Sequence, residues 1–119
     1  NVKIIDFQKN PYKFLKKSNL FILTSLYEGL PNVLLEAIVL KKFIISSNCP
    51  TGPKEILLNG KLGSLFKVGD YKKLTSAILD FSKNKKKYQK SIKLAYKNLD
   101  RFDYKLNCKQ YLMLIKAHI

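Results

Sequence analysis

The hydrophobic positions read first as short strands alternating with helices and, after Gly69, as helices alone. Val2-Lys3-Ile4-Ile5 alternates enough to predict a strand, and Asn10-Pro11 then opens a short helix to about Lys17, with Tyr12, Phe14 and Leu15 as packing residues. Leu20-Phe21-Ile22-Leu23-Thr24 is a continuous apolar run, as expected of a parallel strand covered on both faces. A helix from Asn32 to Lys41 follows, then a strand over Phe43 to Ser46 and a Pro/Gly-marked loop over Ser47 to Gly52. Pro53 to Leu58 predicts a short helix stopped by Asn59-Gly60, and Ser64-Leu65-Phe66 a short strand near a sheet edge. The alternation βαβαβαβ specifies an α/β fold, a Rossmann-like parallel sheet flanked by helices.

Beyond Gly69, Asp70 is a plausible N-cap, and Leu74, Ala77, Ile78 and Phe81 fall on one helical face. Ser82 to Lys87 is a polar break. Tyr88, Ile92, Ala95, Tyr96 and Leu99 repeat the stripe. Tyr104, Cys108, Tyr111, Leu112 and Ile115 repeat it again after a cap at Asp103. These stripes read as core or domain-packing surface, with Cys108 a buried small hydrophobe. The expected division is 1–83 for the Rossmann-like unit and 84–119 for C-terminal helices packed on it. His118 receives no role.

The chemistry concentrates between Glu28 and Glu55, a stretch that holds all three Glu residues of the chain. Glu28 and Glu36 bracket the turn Gly29-Leu30-Pro31-Asn32 and the first turns of a helix. Pro31 suits the first helical position, because its missing N–H would find no intrahelical partner. Apart from Glu36, Val33 to Leu40 is apolar on every side, so the helix should be buried on most faces. A carboxylate there is costly unless something pairs with it. It could turn to a solvent seam or bind Lys41 or Lys42. Alternatively it completes a ligand site, because the adjacent helix start offers free amides to a phosphate. Anion at the helix mouth and carboxylates for hydroxyls together suit a nucleotide-sugar.

SLYEGLPNVLLEAIVLKKFIISSNCPTGPKEIL resembles the donor-binding core of the retaining GT-B glycosyltransferases of family 4, group 1. Their mark is a Glu, seven residues, a second Glu, then a strand and a Gly-x-x-Glu-Ile segment. The likeness runs from about Val2 to Phe81 and is strongest over Thr24 to Leu57. It implies the second domain of a GT-B fold, transferring a sugar from a nucleotide diphosphate donor such as a UDP-sugar with retention of configuration. By position, it implies that Glu28 is catalytic and contacts the transferred sugar with Gly29 and Leu30. It places the backbone of Asn32 and Val33 on the diphosphate and Glu36 on the ribose. Gly52 and Glu55 belong to a downstream loop whose role is less uniform, and a structural Glu is an equal reading at position 55. Relatives often carry Gly where Pro31 stands, so a sugar contact through that N–H is absent. Tyr27 could line the pocket, though an aromatic at a strand end is more often packing. The resemblance implies no cofactor and no metal.

At 119 residues the chain has room for one domain, whereas GT-B enzymes need two. Starting at Asn1 in a strand-like run, it is expected to be a C-terminal fragment or a truncated product whose N-terminal acceptor domain is missing, binding donor weakly and inactive in transfer alone. The acceptor would be a glycan or lipid-linked saccharide of bacterial surface-polysaccharide assembly. Cys49 and Cys108 lack metal-ligand spacing, and a cytoplasmic setting is the default, with no signal peptide or membrane span in view. The net charge of +15 changes the picture little, because 22 of 23 basic residues are Lys. Lys-rich drift ranks first and peripheral attraction to an anionic membrane second. Nucleic-acid binding ranks a distant third, since base and phosphate readout favours Arg. The other open readings are a non-catalytic α/β interaction module and a phosphorylase-like or sucrose-synthase-like activity on the same donor site.

Overall fold

The computed structural model describes residues 2–118. In chain order its elements are α1 (Tyr12–Lys17), β1 (Leu20–Leu23), α2 (Asn32–Val39), β2 (Phe43–Ser47), α3 (Pro53–Ile56), β3 (Ser64–Phe66) and α4 (Tyr71–Lys83). After a 3-10 turn at Lys85–Tyr88 come α5 (Gln89–Lys97), a second 3-10 turn at Asn98–Phe102 and α6 (Tyr104–Ala117). The sheet is parallel with order β1-β2-β3, so each strand reaches the next through a helical crossover. The α/β class is therefore as the hydrophobic pattern required.

β2 is the centre of the molecule, and all five of its residues are buried. Its alternation divides the core in two. Ile44 packs with Leu34, Ala37 and Ile38 of α2, with Ile56 and Leu57, and with Ala95 of α5. Phe43 and Ile45 point the other way, to Phe66, Phe81 of α4 and Ile92. Gly63 lies so close to the Ile44 carbonyl, 2.8 Å from where its Cβ would stand, that a side chain there would collide with β2.

Several expectations need correction. Val2–Ile5 forms no strand, and Val2 and Ile4 are 96% and 91% exposed. Strand-forming side chains need a neighbour's amides and carbonyls, and β1 is paired along β2 only. β1 is consequently an edge strand, half-buried rather than covered on both faces. Pro31 is the N-cap of α2, not its first residue, with an extended ψ of 95°. The helix ends at Val39, followed by left-handed Lys41 at φ 55°. It buries Leu34, Ala37 and Ile38 but exposes Val33 and Val39, so one face of this oily helix meets solvent.

Asp70 and Asp103 cap α4 and α6 as their spacing suggests, accepting from the amides of Lys73 and Leu106 at 2.8 and 2.9 Å. α6 itself buries no residue. Its stripe is not core, and Cys108 is exposed rather than buried, because among the described residues nothing covers that helix face. No described helix is long and apolar enough to cross a membrane.

One polar cluster ties α4 to the turn after it. Asp80 accepts from the Tyr88 hydroxyl, from Lys87 Nζ at 3.0 Å and from Asn84 Nδ2 at 2.7 Å. These donors, Tyr88 first, lower the Asp80 pKa to about 2. Hydrogen bonding to Asp80 in turn raises the pKa of Tyr88 and of Lys87. A depressed carboxylate stabilises the fold above its unfolded pKa of about 4, and that contribution is lost as pH falls toward about 2. Raised Tyr88 and Lys87 contribute below their ordinary values, and that contribution is lost on alkaline titration through the raised ones. Asp80→Asn should thus be less stable than the native chain in urea at pH 6, with the difference much reduced at pH 2.

Candidate functional site

Two loops leave the carboxyl ends of β1 and β2, the side of an open parallel sheet where ligands bind. They are joined to each other closely. Buried Ser47, the last residue of β2, donates its hydroxyl to the Ser25 carbonyl at 2.7 Å. Thr51 donates to the Glu28 carbonyl. Gly52, at φ 82°, lies against Gly29 and Pro31, and a Cβ there would stand 2.1 Å from the Gly29 carbonyl oxygen. Only glycine accommodates both that backbone and that approach.

Glu28 sits half-buried in the first loop, its Oε1 accepting from the Ser25 hydroxyl at 2.6 Å. Gly29 and Leu30 beside it are exposed, and no atom lies within 4 Å of a Cβ built on Gly29. Tyr27 is 80% exposed, so it does not pack. The loop then enters α2. Leu34 is the first residue whose amide finds a carbonyl, Pro31 O at 2.9 Å, and no side chain caps the helix. The amides of Asn32 and Val33 precede it, as a helix start without intrahelical acceptors requires.

Glu36 is half-buried on α2 and makes no ion pair with lysine among the described residues. The two neighbouring lysines are engaged elsewhere. Lys42 Nζ donates to the carbonyls of Lys16 and Ser18 at 2.7 and 2.8 Å, and Lys41 stands over the Tyr96 ring. Glu36 instead faces Tyr12 of α1. Hydrogen bonding to that carboxylate, then its charge and some desolvation, raise the Tyr12 pKa. A cavity of about 350 Å³ between α1, β1 and α2 is lined by Tyr12, Phe14, Phe21, Val33 and Glu36. A neighbouring one of about 430 Å³ is lined by Tyr12, Asn32, Leu35 and Glu36. Both are apolar hollows with one carboxylate and one phenol in their lining.

Glu55 does not join them. It lines a separate hollow with Thr51, Gly52 and Arg101, and the Arg101 guanidinium donates to the carbonyls of Glu55 and Ile56 at 3.4 and 3.0 Å. The larger cavity of about 530 Å³ beside β3 and α4 contains no residue of either loop. Tyr12, Ser25 and Ser47 are the site residues that sequence reasoning missed. Ser25, three residues before Glu28, carried a local signal. Tyr12 reaches Glu36 only through tertiary packing.

The family model for glycosyl transferases group 1 matches residues 1–98. The chain belongs to the group 1 glycosyltransferases. Its α/β fold matches that of TarM at a TM-score of 0.80, with 22% identity over 91% of this chain and 22% of that one. This glycosyltransferase domain is 56% identical over 57 residues to an uncharacterized glycosyltransferase of Methanocaldococcus jannaschii, spanning 48% of this chain and 14% of that protein. It is 25% identical over 115 residues to an N-acetylgalactosamine-N,N'-diacetylbacillosaminyl-diphospho-undecaprenol 4-alpha-N-acetylgalactosaminyltransferase of Campylobacter jejuni, covering 94% of this chain and 32% of the relative. The capsular polysaccharide biosynthesis glycosyltransferase CapM of Staphylococcus aureus is 32% identical over 78 residues, 66% of this chain and 20% of its own length. The glycosyltransferase chain thus spans a third or less of these curated relatives.

Proposed function

We propose that the chain forms the donor half of a retaining glycosyltransferase site and binds a nucleotide diphosphate sugar. One observation carries this reading: the half-buried carboxylate of Glu36 makes no ion pair with lysine among the described residues and, beside the Tyr12 phenol, lines a cavity between α1, β1 and α2. A ribose offers two hydroxyl donors to one carboxylate, which completes a group otherwise costly to desolvate. The amides of Asn32 and Val33 stand at the helix start, where the diphosphate gathers negative charge as the glycosidic bond breaks. Positive charge builds on the sugar ring at the same moment. Glu28 is assigned to the ring hydroxyls near the reacting carbon, where its carboxylate would favour that charge. Gly29 and Leu30 let the backbone approach the sugar, and Gly52 backs the loop. The reading assigns no metal to the site.

The acceptor and the groups that bind it would come from a second domain beyond these residues. The names of the Campylobacter and Staphylococcus relatives support an acceptor of glycan or lipid-linked saccharide type in bacterial surface assembly. Lysines on the exposed faces would favour work beside an anionic membrane at the cytoplasmic side, without nucleic acid as a partner.

Calorimetric titration of the chain with UDP, GDP and ADP tests the reading. Saturable binding of one of them at micromolar to millimolar Kd is expected, with no sugar transfer by the chain alone. No binding by any of the three overturns it and leaves a non-catalytic α/β module.

A further inference from the structure

We propose that Ser25 is a positioning residue that aims the Glu28 carboxylate, and that Ser47 fixes Ser25 in turn. β1 ends at Leu23, so Ser25 lies in a loop that nothing in the strand ladder restrains. Its backbone is restrained instead from the central strand: the hydroxyl of Ser47, 1% exposed, donates to the Ser25 carbonyl at 2.7 Å. With its main chain so placed, Ser25 turns its own hydroxyl to Glu28 Oε1 at 2.6 Å, the short distance of a hydrogen bond to an ionised acceptor.

Glu28 is gripped from the other end as well. Thr51 donates to its carbonyl oxygen, and Gly52 presses on Gly29 next in the chain. Apart from the Ser25 hydroxyl itself, these restraints come from β2 or the loop leaving it. The geometry therefore fixes both the main chain of Glu28 and one carboxylate oxygen, and leaves Oε2 outside this hydrogen bond. A serine needed only to shape the turn would spend its hydroxyl on backbone. This one spends it on the carboxylate.

The inference rests on the donor-site reading and adds how the sugar-facing acid is held. An unrestrained Glu at a loop has several rotamers to lose before it meets a sugar hydroxyl, and small misplacements of reacting groups cost large factors in rate and affinity. Losing the Ser25 hydroxyl should therefore reduce what the sugar adds to binding and leave the nucleotide alone.

The test is titration of the chain and its variants with UDP, GDP and ADP, and with UDP-glucose, UDP-N-acetylglucosamine, GDP-mannose and ADP-glucose. For the sugar nucleotide that binds best, Ser25→Ala should weaken affinity about tenfold, while affinity for the matching diphosphate stays within about twofold. Ser25→Thr, which keeps a hydroxyl, should recover most of the loss, and Ser47→Ala should show the same selective pattern. If Ser25→Ala does not fold, Ser25→Cys, similar in size with a weak donor, takes its place under the same criterion. Unchanged sugar-nucleotide affinity in the variant overturns the proposal and leaves the donor site standing. Equal loss of both ligands overturns it too, as the mark of a structural serine. A native chain that binds diphosphates but gains nothing from the sugar removes the role of Glu28, and one that binds neither removes the whole site.

Discussion

Glu36→Ala is expected to weaken nucleotide diphosphate binding about 100-fold. A ribose diol on this carboxylate makes two charge-assisted hydrogen bonds, and losing both removes roughly 3 kcal/mol. The amides of Asn32 and Val33 would still meet the diphosphate, so binding falls without vanishing. Titration with the 2′-deoxy nucleotide separates this role from a general disturbance. Removing one ribose hydroxyl should cost the native chain about tenfold and the variant almost nothing, since its partner is already gone. The fold should barely register the change, because among the described residues no lysine pairs with Glu36. Tyr12 will register it. Its raised pKa has Glu36 as the leading cause, so the phenol should titrate at lower pH in the variant, which ultraviolet absorbance can follow. A variant binding both nucleotides as the native chain does would remove Glu36 from the site.

Gly52→Ala should be the most damaging single methyl group in the chain. The residue holds φ at 82°, which an L side chain adopts at a penalty, and its added Cβ would stand 2.1 Å from the Gly29 oxygen and 2.4 Å from Pro31 Cδ. Neither neighbour can swing away, since one is backbone and the other a ring. Backbone strain and overpacking together cost about 4 kcal/mol, or a Tm lower by roughly 15 °C. Gly29→Ala is the matched control, because a Cβ on Gly29 meets nothing within 4 Å. It should leave the melting temperature within about 2 °C. Equal effects of the two changes would mean that the loops are not locked through Gly52.

The contrast between these glycines shows where reading along the chain stops. Gly29 and Gly52 stand in loops of similar composition, and only the fold tells that one is walled in and the other open. The apolar run at Phe43–Ser47 was legible because a strand buried on both faces leaves a continuous signature. The same signature at Leu20–Leu23 described the strand and missed its edge position, since exposure of an edge depends on what lies beside it. Strand propensity at Val2–Ile5 likewise needed a partner that propensity cannot supply. The stripe through Cys108 identified a helix face and nothing about what would cover it. At the site, the spacing of Glu28 and Glu36 was enough to put the first in the loop after β1 and the second on α2, but the two cavities beside Glu36 do not include Glu28. Tyr12 and Ser47 were not legible, because each acts across more than twenty residues of sequence.

Arg101 carries a consequence for how far the basic composition of this chain can be interchanged. An ammonium group serves well wherever a lone positive charge in water is all that is asked, and 22 of the 23 basic positions hold one. Position 101 asks for more: two nitrogens of one guanidinium reach successive carbonyls at the end of α3, 45 and 46 residues earlier. A lysine can bridge two carbonyls from its single nitrogen, as Lys42 does, but it lacks the fixed planar fork that reaches them from two nitrogens. The only arginine therefore sits where planarity, rather than charge, closes the late helices onto the loop beneath Thr51 and Gly52.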